Sequence, residues 1–341
     1  MSATPIFIHG LGAVSPAGWG LTALREAVAT NQPLPAKELP APGGKRPPLV
    51  RQVPTPKPRP AFLTHPRLRR CSPITHFAAA AALEALGSDA GLVSSGVRRL
   101  GIVLCALTGC VNYSHRFYDE TLRDPATASP LVFPETVFNA PASHLAALLG
   151  TTAINYTLVG DPGTFVQGLA LAAHWLDADL VDGCLVIGAE EMDWLTANAL
   201  RLFSRASILS DGAGALYLRR EASSSGVRLA AITDAHLFFD RASLNEAVRR
   251  TASQLGGGGA DELLCESTHG LRVPGEAEAA AWRDWPGARL APKRLLGEGL
   301  TAAAAWQCVL AVDEVQRGRF TAANVIVTGC NEQAIGARFV K

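Results

Sequence analysis

The chain repeats one pattern, and that repeat limits what it can fold into. Gly160-Asp161-Pro162-Gly163 opens an apolar helix carrying Trp175, which leads to the strand Leu185-Val-Ile-Gly-Ala-Glu190. In the second half Gly297-Glu298-Gly299 opens an apolar helix carrying Trp306, and Ile326-Val-Thr-Gly-Cys330-Asn331 follows. Local self-similarity of this kind signals one α/β unit used twice. Val166, Leu169, Ala170, Ala173 and Leu176 in one helix, and Ala302–Ala305, Val309 and Leu310 in the other, leave little polar surface. A helix that is apolar nearly all round belongs between layers, so both are expected to be buried.

The remaining segments fit alternating strands and helices. Ile6-Phe-Ile-His-Gly-Leu-Gly12 reads as a buried strand entering a glycine turn, and 22–29 as a short helix. Pro73 suits the first turn of a helix over 74–87, followed by a strand at Leu100–Ala106. A helix over 142–149, a strand over 153–158, the helix 163–176 and the strand Gly212–Leu218 complete the first half. After a Ser/Gly turn at 223–226 the series restarts with strands at 227–233, 263–266 and 325–328, and helices at 243–255, 277–285 and 300–315. This places the halves at 1–222 and 223–341.

Residues 31–60 break the pattern. They hold ten of the 22 prolines, with Lys37, Lys45, Arg46, Arg51, Lys57 and Arg59, and read as an extended surface segment. Such a strip could also dock an acidic carrier protein.

Composition excludes several functions. The net charge of +1 gives no general attraction to nucleic acid. No run of about 18 uninterrupted apolar residues marks a membrane span, and the N-terminus lacks a secretory pattern, so the expected location is the cytoplasm. Seven cysteines, at 71, 105, 110, 184, 265, 308 and 330, form no CxxC pair and read as buried reduced thiols. His269 has no partner at a zinc-binding spacing, so neither a metal nor a cofactor is expected. Asp211-Gly-Ala-Gly-Ala lacks the Lys-Ser/Thr of a phosphate loop.

Three further segments carry a family likeness. Gly10-Leu-Gly-Ala-Val-Ser-Pro-Ala-Gly18, the Phe133–Ala146 segment with Asn139-Ala-Pro-Ala-Ser143, and Ser267-Thr-His-Gly270 join the duplicated order. Together they resemble the β-ketoacyl-acyl-carrier-protein synthases of the thiolase superfamily over almost the whole chain. The resemblance implies a thiolase-like duplicated five-layer αβαβα fold. It also implies a cysteine at the start of the first central helix, where free N–H groups and the macrodipole favour a thiolate. Two histidines would stabilise the enolate, and a lysine would organise the site.

The residues depart from that set at two corners. The cysteine position falls on Pro162, or on Asp161 with a one-residue slip; the first histidine matches His269 and the lysine matches Lys293; Glu298 stands at the second histidine. Cys330 falls near the family's tunnel-guarding phenylalanine, and Thr164, Cys330 and Phe203 are the expected substrate-facing residues. Without a nucleophile, and with a carboxylate facing any enolate, condensation and malonyl decarboxylation are both disfavoured.

Asp161-Pro162 is also simply a good helix start, an N-cap followed by proline, worth roughly 1 kcal/mol. Alternatively, Asp161 and Glu298 face His269 and Lys293 and perform acid/base chemistry on another substrate. The resemblance thus implies a chain-length-factor-like subunit of fatty-acid or polyketide biosynthesis. Its expected partners are an acyl carrier protein and a second ketosynthase chain, as a homodimer or a heterodimer with an active ketosynthase. An acyltransferase or hydrolase with His269 as base, and an active ketosynthase with a misplaced nucleophile, are the alternatives.

Overall fold

The computed structural model describes residues 5–43, 46–268, 270–329 and 333–341. Strands β1 (Ile6–Ser15), β2 (Leu100–Ala106), β3 (Asn155–Val159), β4 (Gly183–Glu190) and β5 (Gly212–Arg219) lie in the order β3-β2-β4-β5-β1. Strands β6 (Arg228–Ile232), β7 (Glu262–Cys265), β8 (Ala288–Leu290), β9 (Ala322–Thr328) and β10 (Gln333–Val340) lie as β8-β7-β9-β10-β6. Each strand n of the first set has its counterpart in strand n+5. The pairing senses match too: β2 is parallel to β3 and β4, and β7 to β8 and β9, while the other neighbours are antiparallel. The two sets join where Ile6 and Phe7 of β1 meet Leu229 and Arg228 of β6.

Helices α1 (Pro73–Leu86) and α2 (Ala140–Leu149) pack on one outer face, over a core of Ile74, Leu104, Leu145 and Ile187. Helices α3 (Thr164–Asp177) and α6 (Leu300–Gln316) lie between the sheets, in the largest core cluster. Helices α4 (Arg241–Leu255) and α5 (Arg272–Ala281) cover the other outer face. These are five layers, αβαβα, and the thiolase-like fold is the one implied by the sequence resemblance. With both faces covered, β2, β4 and β9 are buried along their whole length.

Several sequence expectations need correction. The first strand does not turn at Gly10 and Gly12 but runs through them to Ser15. A Cβ at either glycine would collide with the carbonyl of Ala85 or Ala81, so the glycines let α1 lie directly on the strand. Helix α6 is buried nearly end to end, as expected, but α3 exposes Gln167, Ala170 and His174 in one stripe. Its apolar content is alanine-rich on that side, and alanine tolerates either environment.

The proline-rich segment is extended but not merely a surface excursion. Leu49–Arg51 pairs with Lys37–Glu38 and with Leu209–Ser210, and Val50 is fully buried. Arg51 is buried as well, its Nε donating to the Leu34 carbonyl at 2.7 Å. The expected helix over 277–285 starts instead at Arg272, with Pro274 in its first turn, and ends at Ala281. Helices at Val111–Arg123 and Trp194–Phe203, and strand β10, had no counterpart in the sequence reading.

Candidate functional site

The two central helices begin in the same way. At α3, Asp161 Oδ1 accepts the backbone N–H of Gly163 at 2.9 Å. At α6, Glu298 Oε1 accepts the backbone N–H of Leu300 at 2.8 Å. Each acid therefore takes up the amide two residues further on, at the positive end of a buried helix. Asp161 and Pro162 are not the N-cap and first helical residue expected of them: the cap position is Gly163, regular helix begins at Thr164, and the Asp161 bond to Gly163 closes a local turn just before it.

Both acids are buried and hydrogen-bonded within the protein. Asp161 Oδ1 also accepts from Gln333 Nε2 at 2.7 Å, and Gln333 Oε1 accepts from Gln167 Nε2 at 2.9 Å. The Asp161 carboxylate lies so close to Gly329 that a Cβ there would collide with it. Glu298 Oε2 accepts from Lys293 Nζ at 3.1 Å, with side chains 2% and 0% exposed respectively. Lys293 is carried by a short helix, Pro292–Leu296, whose proline sits in its first turn.

One polar network joins the two corners. Lys293 Nζ lies 3.4 Å from Ser267 Oγ, and Ser267 Oγ accepts the Thr328 N–H at 3.2 Å. Thr328 precedes Gly329, against which Asp161 packs. Beneath them Glu278 accepts from Thr328 Oγ1 at 2.6 Å and from the Ser267 N–H at 3.0 Å. Burial pushes the Glu278 carboxyl up to about 7, against the opposing pull of the Thr328 hydrogen bond.

The structure thus pairs Lys293 with Glu298, while Asp161 stands at the other helix start against Gly329 and Gln333. His269 and Cys330 lie outside the described residues. Pro162 is buried at the start of α3, where no side chain of Asp161, Pro162 or Gly163 can act as a thiol nucleophile. Thr164 is buried, its hydroxyl turned toward Gly160 and its carbonyl 3.5 Å from the Cys105 thiol. Phe203 ends the helix Trp194–Phe203 and is 67% exposed.

None of the described cysteines supplies the missing thiolate. Cys71, Cys105, Cys110, Cys184, Cys265 and Cys308 are all buried, and desolvation raises the pKa of each. Gln167 and Glu278 belong to the site but were not foreseen, and Thr328 and Gln333 were visible only as the ends of the Thr328–Gln333 loop around Cys330. Ser267 was visible only as part of Ser267-Thr-His-Gly.

Comparison with known proteins accords with this fold. A family model for 3-oxoacyl-(acyl-carrier-protein) synthase III matches residues 162–235. No curated protein matches the sequence. Among solved structures, the ishigamide ketosynthase/chain length factor is 18% identical, covering 98% of this chain and 99% of that one, with a TM-score of 0.77. A ketosynthase in complex with its chain length factor from Xenorhabdus doucetiae is 13% identical, covering 99% and 98%, with a TM-score of 0.80. A type II polyketide acyl carrier protein in complex with its ketosynthase is 15% identical, covering 100% and 99%, with a TM-score of 0.77. At these identities the likeness establishes the fold, that of ketosynthases and chain length factors.

Proposed function

We propose that this chain is a non-condensing, chain-length-factor-like subunit that pairs with an active ketosynthase in fatty-acid or polyketide biosynthesis. The observation that carries the proposal is the pair of helix starts. Where a condensing enzyme would present a thiolate and an enolate-binding histidine, Asp161 and Glu298 are buried and already hold the local amides. A substrate thioester would meet no nucleophile at Pro162. The buried carboxylates would repel an enolate or a malonyl group, so condensation and decarboxylation fall to the partner.

A free sheet edge supports the pairing. Among the described residues, strand β3 ends the strand order and is bonded on one side only, to β2. Tyr156 and Val159 are exposed along it, and Leu107, Phe133 and Phe138 are exposed in neighbouring segments. An unpaired strand edge carrying apolar residues is a template for another chain. The solved complexes include ketosynthases bound to a chain length factor or to an acyl carrier protein, and this chain has the same fold. An acidic carrier would find Lys37, Arg46, Lys57 and Arg59 exposed, whereas the buried Arg51 cannot contribute.

The test is coexpression with a ketosynthase that retains its Cys-His-His set. A one-to-one heterodimer on gel filtration, and a product whose chain length depends on this subunit, are expected. Absence of a heterodimer with every such ketosynthase encoded beside this chain would overturn the reading. So would acyl labelling of this chain by an acyl-carrier thioester when it is assayed alone.

A further inference from the structure

We propose that Cys71, Glu135 and His144 form a binding site for a divalent transition metal of zinc's class. The site is independent of the central network and was not foreseen in the sequence. Cys71 lies just before α1, Glu135 in the turn Phe133–Glu135, and His144 on the second turn of α2. Segments far apart in sequence thus converge on one point, where one donor atom from each of the three residues lies within 4.8 Å of the other two.

The distances suit one small ion. Tetrahedral zinc, with bonds near 2.0–2.3 Å, holds its donors about 3.5 Å apart. His144 Nε2 is 2.9 and 3.0 Å from the two Glu135 oxygens, and the whole trio needs to adjust by only about an ångström.

The donor types narrow the metal. A thiolate with an imidazole disfavours magnesium and calcium, which take oxygen ligands, whereas zinc, cobalt and their neighbours accept sulfur, nitrogen and oxygen together. On binding, the Cys71 thiol would lose its proton to solvent, Glu135 would bind as carboxylate and His144 as neutral imidazole. Cys71 is buried, but the Glu135 and His144 side chains keep 13% and 17% exposure. That leaves an entry path and a fourth position for water.

Without a metal, Glu135 and His144 bond to each other and the Cys71 thiol donates to the Arg67 carbonyl at 2.9 Å. The metal would replace these separate bonds with one link. It would fasten the turn at Phe133–Glu135, beside the exposed Leu131 and Phe133, to α1 and α2. The exposed apolar segment around Leu131 and Phe133 would then be ordered by a metal.

The test uses the full chain. After incubation with zinc and removal of excess, one zinc per chain is expected by elemental analysis, together with a raised unfolding temperature that chelator reverses. Cobalt should give a near-ultraviolet thiolate-to-metal charge-transfer band. Cys71→Ser should abolish the band and His144→Ala should weaken zinc binding at least about tenfold, while Cys110→Ser, altering a nearby thiol, should leave the band intact. Less than stoichiometric zinc in the parent chain overturns the proposal, as does a cobalt band that survives Cys71→Ser. If a variant fails to fold, the parent's zinc content and cobalt band decide the matter.

Discussion

The Lys293–Glu298 pair gives the sharpest test of the central network. Both side chains are excluded from water, 3.1 Å apart, and the other hydrogen-bonding neighbour seen at the ammonium is Ser267 Oγ at 3.4 Å. Glu298→Gln keeps the shape but removes the charge, leaving a buried ammonium without its counter-ion. Breaking a buried pair in this way costs about 3–5 kcal/mol. Replacing both members by apolar groups of similar volume, Lys293→Met with Glu298→Leu, removes both charges. It should cost far less than the sum of the single changes, apart from the loss of about 1–3 kcal/mol where the Leu300 N–H is left without an acceptor. Urea unfolding followed by tryptophan fluorescence gives the three free energies, and a double-mutant cycle gives the coupling. A thermal midpoint lowered by roughly 6–10 °C should accompany Glu298→Gln, at about 2 °C per kcal/mol for a chain of this size. If Glu298→Gln costs under about 1 kcal/mol, or if the two single changes simply add, the charges are not coupled and the reading of this corner is wrong.

Other expectations follow from the same geometry. Because burial raises the folded-state Glu278 to about 7 from 4.5, the folded chain holds that proton more tightly. Its favourable contribution is therefore full below about pH 4.5 and is lost as pH rises to about 7, amounting to up to about 3 kcal/mol. Glu278→Gln should flatten that part of the stability profile, and a variant whose stability falls as steeply as the parent's over this range removes the argument. Gly329→Ala should cost about 1–3 kcal/mol in denaturant unfolding, because its methyl would displace the Asp161 carboxylate; an unchanged midpoint would mean that the contact is easily relaxed. Val159→Lys on the β3 edge should abolish heterodimer formation on gel filtration while leaving the isolated subunit's unfolding temperature unchanged. Retained pairing would place the interface elsewhere.

The fold was legible wherever periodicity was strong. The glycine-led helices with Trp175 and Trp306 and the apolar strands after them gave the duplication, because a buried layer admits few polar residues. The helix Val111–Arg123 was not legible, since none of its residues is fully buried and its polar sequence resembles a loop. Strand β10 was missed because Gln333 and Arg338 interrupt its apolar run; the structure satisfies Arg338 with Glu262 and Asn324. At the site, sequence spacing located Asp161 and Glu298 on equivalent helix starts. It could not locate Gln333 or Glu278, which reach the site only through strand pairing and packing across layers. The metal trio was invisible for the same reason, since Cys71, Glu135 and His144 share no motif spacing.

The acids at the two helix starts occupy positions with a particular electrostatic character. A buried helix N-terminus presents unpaired N–H groups and a partial positive charge, which is why an enzyme can use it to stabilise a thiolate or an oxyanion. Here each such end is occupied by a carboxylate from the chain itself, with Gly163 N–H given to Asp161 and Leu300 N–H to Glu298. Lys293 neutralises one acid, and Gln333 orients the other. On the proposed reading, a carboxyl group from the chain itself stands at both places where a condensing enzyme would hold a substrate-derived anion. Restoring a cysteine at Pro162 alone would put a thiol beside the Asp161 carboxyl, which already holds the Gly163 N–H. On the proposed reading, recovery of condensation should need both acids removed as well, and a Pro162→Cys change that condenses by itself would refute it.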